Sequence, residues 1–179
     1  MRIISGIYGG RKINPPAKMP FTRPTTDIAK EGLFNILQNN LDISSVKALD
    51  LFGGTGSISY ELASRGAAEI TVVEKDKMMF EFIKKTGMEL ELKCFRVVQA
   101  DVFTFLQFTC NQYDLIFAGP PYALTTINKL PGLVFDRKLL HPGGWFVLEH
   151  TPKNDYKKEP YYKTERNYGT TIFSIFINK

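Results

Sequence analysis

The run LIFAG, residues 115–119, ends in Pro120-Pro121-Tyr122. Proline supplies no N–H and fixes the chain, so a strand that stops on two prolines leaves carbonyls free to face a ligand and presents the following ring to something planar. Upstream, ALDLFGGTGSIS (48–59) holds Asp50 just before Gly53, Gly54 and Gly56. These glycines permit a tight turn and a close backbone approach, and the helix start behind them offers N–H groups. A carboxylate at Asp50 repels a pyrophosphate but pairs with a cationic ligand group. Glu74 can accept hydrogen bonds from both hydroxyls of a ribose, and Asp101 is placed to meet the amino group of a base. Singly, each carboxylate also reads as a helix N-cap, Asp50 and Asp101 above all. Three consecutive strands each ending on one favour a nucleoside site. A nicotinamide dinucleotide calls for G-x-G-x-x-G, and the third glycine is replaced by Ser59.

The elements that must position these groups follow from periodicity. Helical spacing begins at Asp27 in IAKEGLFNIL, with Thr26 or Asp27 as the N-cap. Strands are expected at 46–52, 69–75, 95–101, 113–119 and 143–150. Between them, SISYELASRG and DKMMFEFIKKTG read as helices each closed by its glycine, and VFTFLQF as a short helix. Strands spaced by helices give right-handed βαβ units and a mainly parallel sheet. Near the C-terminus YYKTE and TTIFSIFINK flank the turn signal RNYG, so the sheet finishes in an antiparallel hairpin.

Composition narrows the class. At 179 residues with 44% hydrophobic and 23% charged residues, the chain is that of one ordinary globular domain, and no apolar run approaches a membrane span. MRIISGIYGG lacks the apolar core of a secretory signal, and Cys94 and Cys110 form no disulfide framework, so a cytoplasmic location is expected. With only His141 and His150 beside those cysteines, no metal site is expected. Residues 1–30 carry six cations (Arg2, Arg11, Lys12, Lys18, Arg23, Lys30) against Asp27, which is the entire net charge of +5. Together with Tyr8, Phe21, several prolines and Gly6, Gly9 and Gly10, this composition suits an extended arm following a phosphate backbone. A merely solvated arm is the alternative.

The signatures D-L-F-G-G-T-G, E-K-D, Q-A-D and G-P-P-Y resemble the class I S-adenosylmethionine-dependent methyltransferases. That resemblance implies a Rossmann-like seven-stranded, mostly parallel sheet with an antiparallel terminal hairpin. MRIISGIYGGRKI, T-R-P-T-T-D, K-E-G-L-F-N-I-L, L-L-x-P-G-G-W and N-Y-G-T-T-I-F-S further resemble the RsmD-type 16S ribosomal RNA guanine-N2 methyltransferases along nearly the whole chain. The resemblance implies methyl transfer to guanine 966 of 16S rRNA in the small subunit or its assembly intermediate, by a monomer needing no metal or membrane. It divides the chain into a basic RNA-binding hairpin arm at 1–26 and a methyltransferase domain at 27–179. It assigns the cofactor to Thr26, Asp50, Phe52, Gly53, Gly54, Thr55, Gly56, Glu74, Lys75, Asp101 and Val102. RNA falls to Arg2, Arg11, Lys12, Arg23 and Tyr122, and catalysis to Gly119, Pro120, Pro121 and Tyr122.

Two positions depart from the family pattern. Ile28-Ala29 stands where an arginine commonly follows the aspartate, and Gly119 replaces an Asp or Asn whose side chain accepts the protons of the amine. Asp114 cannot stand in, since five strand residues put it about 16 Å away. Gly119 therefore opens an alternative, a cofactor- and RNA-binding assembly factor with little activity. Methylation of another nucleic-acid or protein amine is a third reading, for which a separate target-recognition domain is expected.

Overall fold

The computed structural model describes residues 1–17 and 25–179. Arg23, the Thr22–Pro24 part of the T-R-P-T-T-D block, and Lys18 and Phe21 of the arm lie outside the described residues. In chain order the elements are α1 (Asp27–Asn40), β1 (Lys47–Leu51), α2 (Ser57–Ser64), β2 (Glu69–Glu74), α3 (Lys77–Glu89), β3 (Phe95–Gln99), α4 (Val102–Phe108), β4 (Tyr113–Ala118), α5 (Lys129–Asp136), β5 (Leu140–His150), β6 (Tyr162–Tyr168) and β7 (Thr171–Ile177). Among the described residues the strands form one sheet in the order β3-β2-β1-β4-β5-β7-β6. The first five are parallel, and β7 runs antiparallel between β5 and β6.

Strand alternation sends successive side chains to opposite faces, and each face is covered. Ala48, Val72, Leu115 and Val147 meet Leu33 and Phe34 of α1 and Leu62 of α2. Leu49, Val73, Ile116 and Phe146 meet Leu106 of α4 and Leu130 and Val134 of α5. Because β7 lies inside the sheet, its first six residues are all buried, whereas the edge strand β6 has none that are. No helix among the described residues is long and apolar enough to cross a membrane.

The structure corrects several expected boundaries. Helix α3 does not close at Gly87 but continues to Glu89. Gly87 is there for space, since a Cβ would stand 3.0 Å from the Phe95 ring; the left-handed turn falls on Glu91 at φ 53. The third strand stops at Gln99, because Asp101 caps α4 through the N–H groups of Phe103 and Thr104 (3.0 and 3.2 Å). The terminal hairpin turns at Gly169 and Thr170, not over RNYG: Gly169 takes φ 70 and lets the ladder run to Tyr168. Helix α5, absent from the sequence reading, is concealed by Pro131 and Gly132. Pro131 sits in its first turn, where the missing N–H has no intrahelical partner to lose.

Residues 1–13 of the basic arm form a hairpin and not an extended segment. Arg2 bridges Lys12, Ile3 N–H donates to the Arg11 carbonyl and Ile13 N–H to that of Met1, each at 3.0 Å. Ile3 and Ile13 are buried against Tyr60 and Leu90. A fully buried carboxylate, Glu61 of α2, holds this hairpin down by accepting from the N–H groups of Ile4 (2.7 Å) and Ser5 (3.0 Å). Its charge is balanced by Arg65 at 2.7 Å and Lys30 at 3.8 Å. Lys30 itself donates to the Arg2 carbonyl at 2.6 Å and to Ser57 at 3.0 Å. Removing the central anion strands two buried cations, so Glu61→Ala is expected to lower stability by about 3–5 kcal/mol. Denaturant titration measures the loss, and hydrogen exchange is expected to show residues 1–13 losing protection with it.

Candidate active site

Parallel strands bring their carboxyl ends to one edge, and order reverses there between β1 and β4, where β2 turns one way and β5 the other. A cavity of about 950 Å³ opens along this edge. One side is built by the turn after β1, which passes through Phe52 at φ 63 and Gly54 at φ 54 before Gly56 at φ 79 starts α2. A left-handed Phe is strained by about 1 kcal/mol or more, and such strain collects at ligand sites. The turn is held by Gly53 N–H on the Val73 carbonyl at 2.9 Å and by Gly54 N–H on Glu74 at 2.8 Å. Gly56 has to lack a side chain, because a Cβ would meet the Tyr60 ring at 2.5 Å.

Three acidic groups line this side. Asp50 is buried and accepts the Ser59 hydroxyl at 2.5 Å. Burial raises its carboxyl to about 7, outweighing the Ser59 hydrogen bond, and the charges of Glu74 and Glu149 add to the rise. Among the described residues no cation pairs with it. Glu74 accepts Gly54 N–H on one oxygen and Asp76 N–H on the other (2.7 Å), which fixes its carboxylate plane at the cavity wall. Asp101 is exposed enough to reach Lys75 at 3.3 Å. Burial pushes its carboxyl up, but the Thr104 N–H and Lys75 outweigh this and leave it below the usual carboxylate range.

The other side is the end of β4. Gly119 N–H still donates to the Leu51 carbonyl at 3.2 Å, so the two strand ends are stitched together just before the prolines. Tyr122 is 41% exposed, and its hydroxyl lies 3.4 Å from Glu149 and 3.3 Å from Thr171. Asp114, at the far end of the strand, is paired with His141 at 2.8 Å and the Lys47 N–H at 2.8 Å.

Of the residues singled out from the sequence, Asp50, Phe52, Gly53, Gly54, Thr55, Glu74, Lys75, Asp101, Val102 and the whole of Gly119–Tyr122 face this one cavity. Thr26 does not: its hydroxyl caps α1 by accepting Ala29 N–H at 3.2 Å, while its neighbour Thr25 lines the cavity. Gly56 shapes the turn from outside it. Arg2 (paired to Asp27 at 3.0 Å), Arg11 and Lys12 lie on the docked hairpin, exposed and away from the cavity lining. The sequence reading passed over Glu149 and Gln99, both of which line the cavity. Glu149, the penultimate residue of WFVLEH, was legible by the same rule that picked out the carboxylates of the first three strands.

Comparisons with known proteins give the family of the chain. The family described as conserved hypothetical protein 95 matches residues 1–177. The chain is 31% identical over 160 residues to the ribosomal RNA small subunit methyltransferase D of Escherichia coli K12, covering 89% of this chain and 79% of that protein. It is 34% identical over 152 residues to the protein of the same name from Buchnera aphidicola of Acyrthosiphon pisum, covering 84% and 78%. The chain belongs to the RsmD family of methyltransferases. Among solved structures, the yhhF protein of Escherichia coli superposes with a TM-score of 0.86 at 27% identity, covering 100% of this chain and 98% of that one. A hypothetical protein of Thermus thermophilus gives 0.85 at 28% identity, with 98% of each covered. The RsmD-type chain thus has the mostly parallel seven-stranded methyltransferase sheet with antiparallel terminal strands that its sequence implied.

The raised Asp50 carboxyl has a consequence for this family member without ligand. Between the unfolded value of 3.8 and about 7 the folded state holds a proton that the unfolded state releases. Stability is therefore expected to fall as pH rises through that window. Asp50→Asn keeps an acceptor for Ser59 but cannot ionise. Thermal melts are expected to place the variant above wild type at pH 8, by about 4 °C or more, with the gap closing toward pH 5.

Proposed function

We propose that this chain transfers the methyl group of S-adenosylmethionine to the exocyclic N2 amine of a guanine in 16S ribosomal RNA, guanine 966, within the small subunit or an assembly intermediate. One observation carries the reading: a single cavity has Asp50, Glu74 and Asp101 along one side and the proline-stiffened Tyr122 on the other. The names of the related proteins, which are ribosomal RNA small subunit methyltransferases, support it. So does the donor chemistry. A buried carboxylate whose ionisation is opposed is one that a cationic ligand satisfies, and S-adenosylmethionine carries both an ammonium and a sulfonium.

In this reading Asp50 holds the cationic amino acid part of the cofactor beside the Gly53–Gly56 turn, and Glu74 accepts the ribose hydroxyls. Asp101, with Lys75 and Val102 beside it, borders the adenine, and Phe52 and Thr55 complete the wall. When bound, the cofactor supplies an electrophilic methyl on sulfur. The residues of this chain have to bring a poor nucleophile to it, since the lone pair of an exocyclic amine is delocalised into the ring. Tyr122 stacks on the extruded base, while the carbonyls of the Gly119-Pro120-Pro121 turn accept its amine protons. Residues 1–26 act as the RNA-binding unit, with Arg2, Arg11, Lys12 and Arg23 on phosphates, and residues 27–179 as the catalytic one. The enzyme works as a cytoplasmic monomer.

A second reading, an assembly factor that binds cofactor and RNA without turnover, follows from Gly119. Labelled S-adenosylmethionine incubated with small subunits lacking the modification separates the two. Label mapped by mass to guanine N2 is the expected result, and bound cofactor without transfer is the outcome that favours the assembly factor. Two further measurements examine the roles. Calorimetry is expected to give about fivefold tighter S-adenosylmethionine binding at pH 7 than at pH 6, because the ligand needs ionised Asp50 and keeps its own ammonium over that range, and Asp50→Asn removes the dependence along with most of the affinity. Tyr122→Ala is expected to lower kcat/KM for the RNA by about 10- to 100-fold, the worth of one stacked base, with cofactor affinity unchanged.

A further inference from the structure

Gly119 deprives the site of a side-chain acceptor, and the structure puts another in its place. Glu149, near the end of β5, is 4% exposed and points its carboxylate into the cavity beside the β4 terminus. A Cβ built on Gly119 would stand 3.7 Å from Glu149 Oε2. An aspartate there would carry its oxygens about 2.4 Å beyond that Cβ, within reach of the place that the Glu149 carboxylate occupies. The Cβ would also press on the Phe117 ring at 3.1 Å. In this chain the carboxylate beside the β4 terminus arrives from the neighbouring strand.

Resting on the guanine reading above, we infer that Glu149 is the catalytic acceptor for the methylated base and selects guanine by its Watson–Crick edge. Guanine presents N1–H and N2–H side by side, two parallel donors that match the two oxygens of a carboxylate. Adenine presents an acceptor at N1, which a carboxylate repels. The position is suitable: Glu149 Oε1 lies at the hydroxyl end of the Tyr122 ring, so a base stacked on that ring turns its edge to the carboxylate. The Tyr122 contact, at 3.4 Å, is long for an O–H donor and gives way to the base. Thr25 donates to Oε2 at 2.7 Å and fixes the orientation of the group. Holding N2–H turns the nitrogen lone pair toward the methyl. The N–C bond then forms as the C–S bond breaks with its electron pair passing to sulfur. The proton of the resulting cationic amine goes to Glu149 and on to water.

The test uses small subunits reconstituted with either guanine or 2-aminopurine at the target nucleotide. 2-Aminopurine keeps the N2 amine but has an acceptor at N1. Wild type is expected to transfer at least about tenfold more slowly to 2-aminopurine, since the carboxylate then faces an acceptor at N1 in place of a donor. Glu149→Gln is expected to lose about 10²-fold on guanine and to bring the two bases within about threefold, because its amide can donate to N1. Adding Gly119→Asp to Glu149→Ala, which clears the space that Glu149 fills, returns a carboxylate from the β4 side and is expected to run at least about tenfold faster on guanine than Glu149→Ala alone, a rescue that a merely structural Glu149 would not allow. Calorimetry with S-adenosylmethionine reports whether each variant keeps its fold. If Glu149→Gln fails to bind cofactor, the wild-type comparison of the two bases decides. Equal wild-type rates on both bases, or Glu149→Gln within threefold of wild type on guanine, overturn the assignment while leaving guanine methylation standing. No wild-type transfer to guanine at all overturns the methyl-transfer reading and this one with it.

Discussion

Parallel strands deliver all their carboxyl ends to one edge of a sheet, and in this chain five such ends meet where the order reverses between β1 and β4. Asp50, Glu74 and Asp101 come from one side of the reversal, and Gly119–Tyr122 and Glu149 from the other. Groups up to about 100 residues apart in the chain are thereby placed around one cavity. The rigidity comes from the ladder itself. Asp50 lies opposite both Val72 and Phe117, and Glu149 opposite Phe173, so neither carboxylate can shift without breaking sheet pairing.

The two buried acids have distinct electrostatic tasks. Asp50 has the Ser59 hydroxyl and no cation among the described residues, and burial holds its carboxyl near neutrality until a positive group arrives. Glu149 is hydrogen-bonded by Thr25 and Tyr122, residues that border the second half of the cavity. Asp50 thus suits a cationic ligand group, and Glu149 one that bears protons. That Glu149 contributes to raising Asp50 shows the two halves to be close enough to feel one another. Gly119 is then no simple loss of a polar group. The carboxylate of Glu149, on the adjacent strand, lies beside it.

The hairpin arm is joined to this edge by a second buried charge cluster. Glu61 fastens the hairpin backbone, and Lys30 spans from the Arg2 carbonyl to Ser57 at the cavity rim. The exposed cations Arg2, Arg11 and Lys12 are thereby carried on a platform fixed relative to the site, not on a loose tail. The long helix α1 does the same for Thr25, which enters the cavity one residue before the Thr26 cap.

Local pattern was enough for the parallel sheet, the glycine turn after β1, the strand-end acids and the proline-bound aromatic, because each rests on periodicity or on residue types with narrow backbone preferences. The run KLPGLVFD hid α5, since a proline in a first helical turn reads like a breaker until the helix is seen. Composition suggested an extended arm, whereas Glu61, more than fifty residues away, supplies the acceptor that folds residues 1–13 back. The strand register likewise decided that Glu149 faces Gly119. No spacing in the sequence expresses that proximity, because it arises from the pairing of β4 with β5.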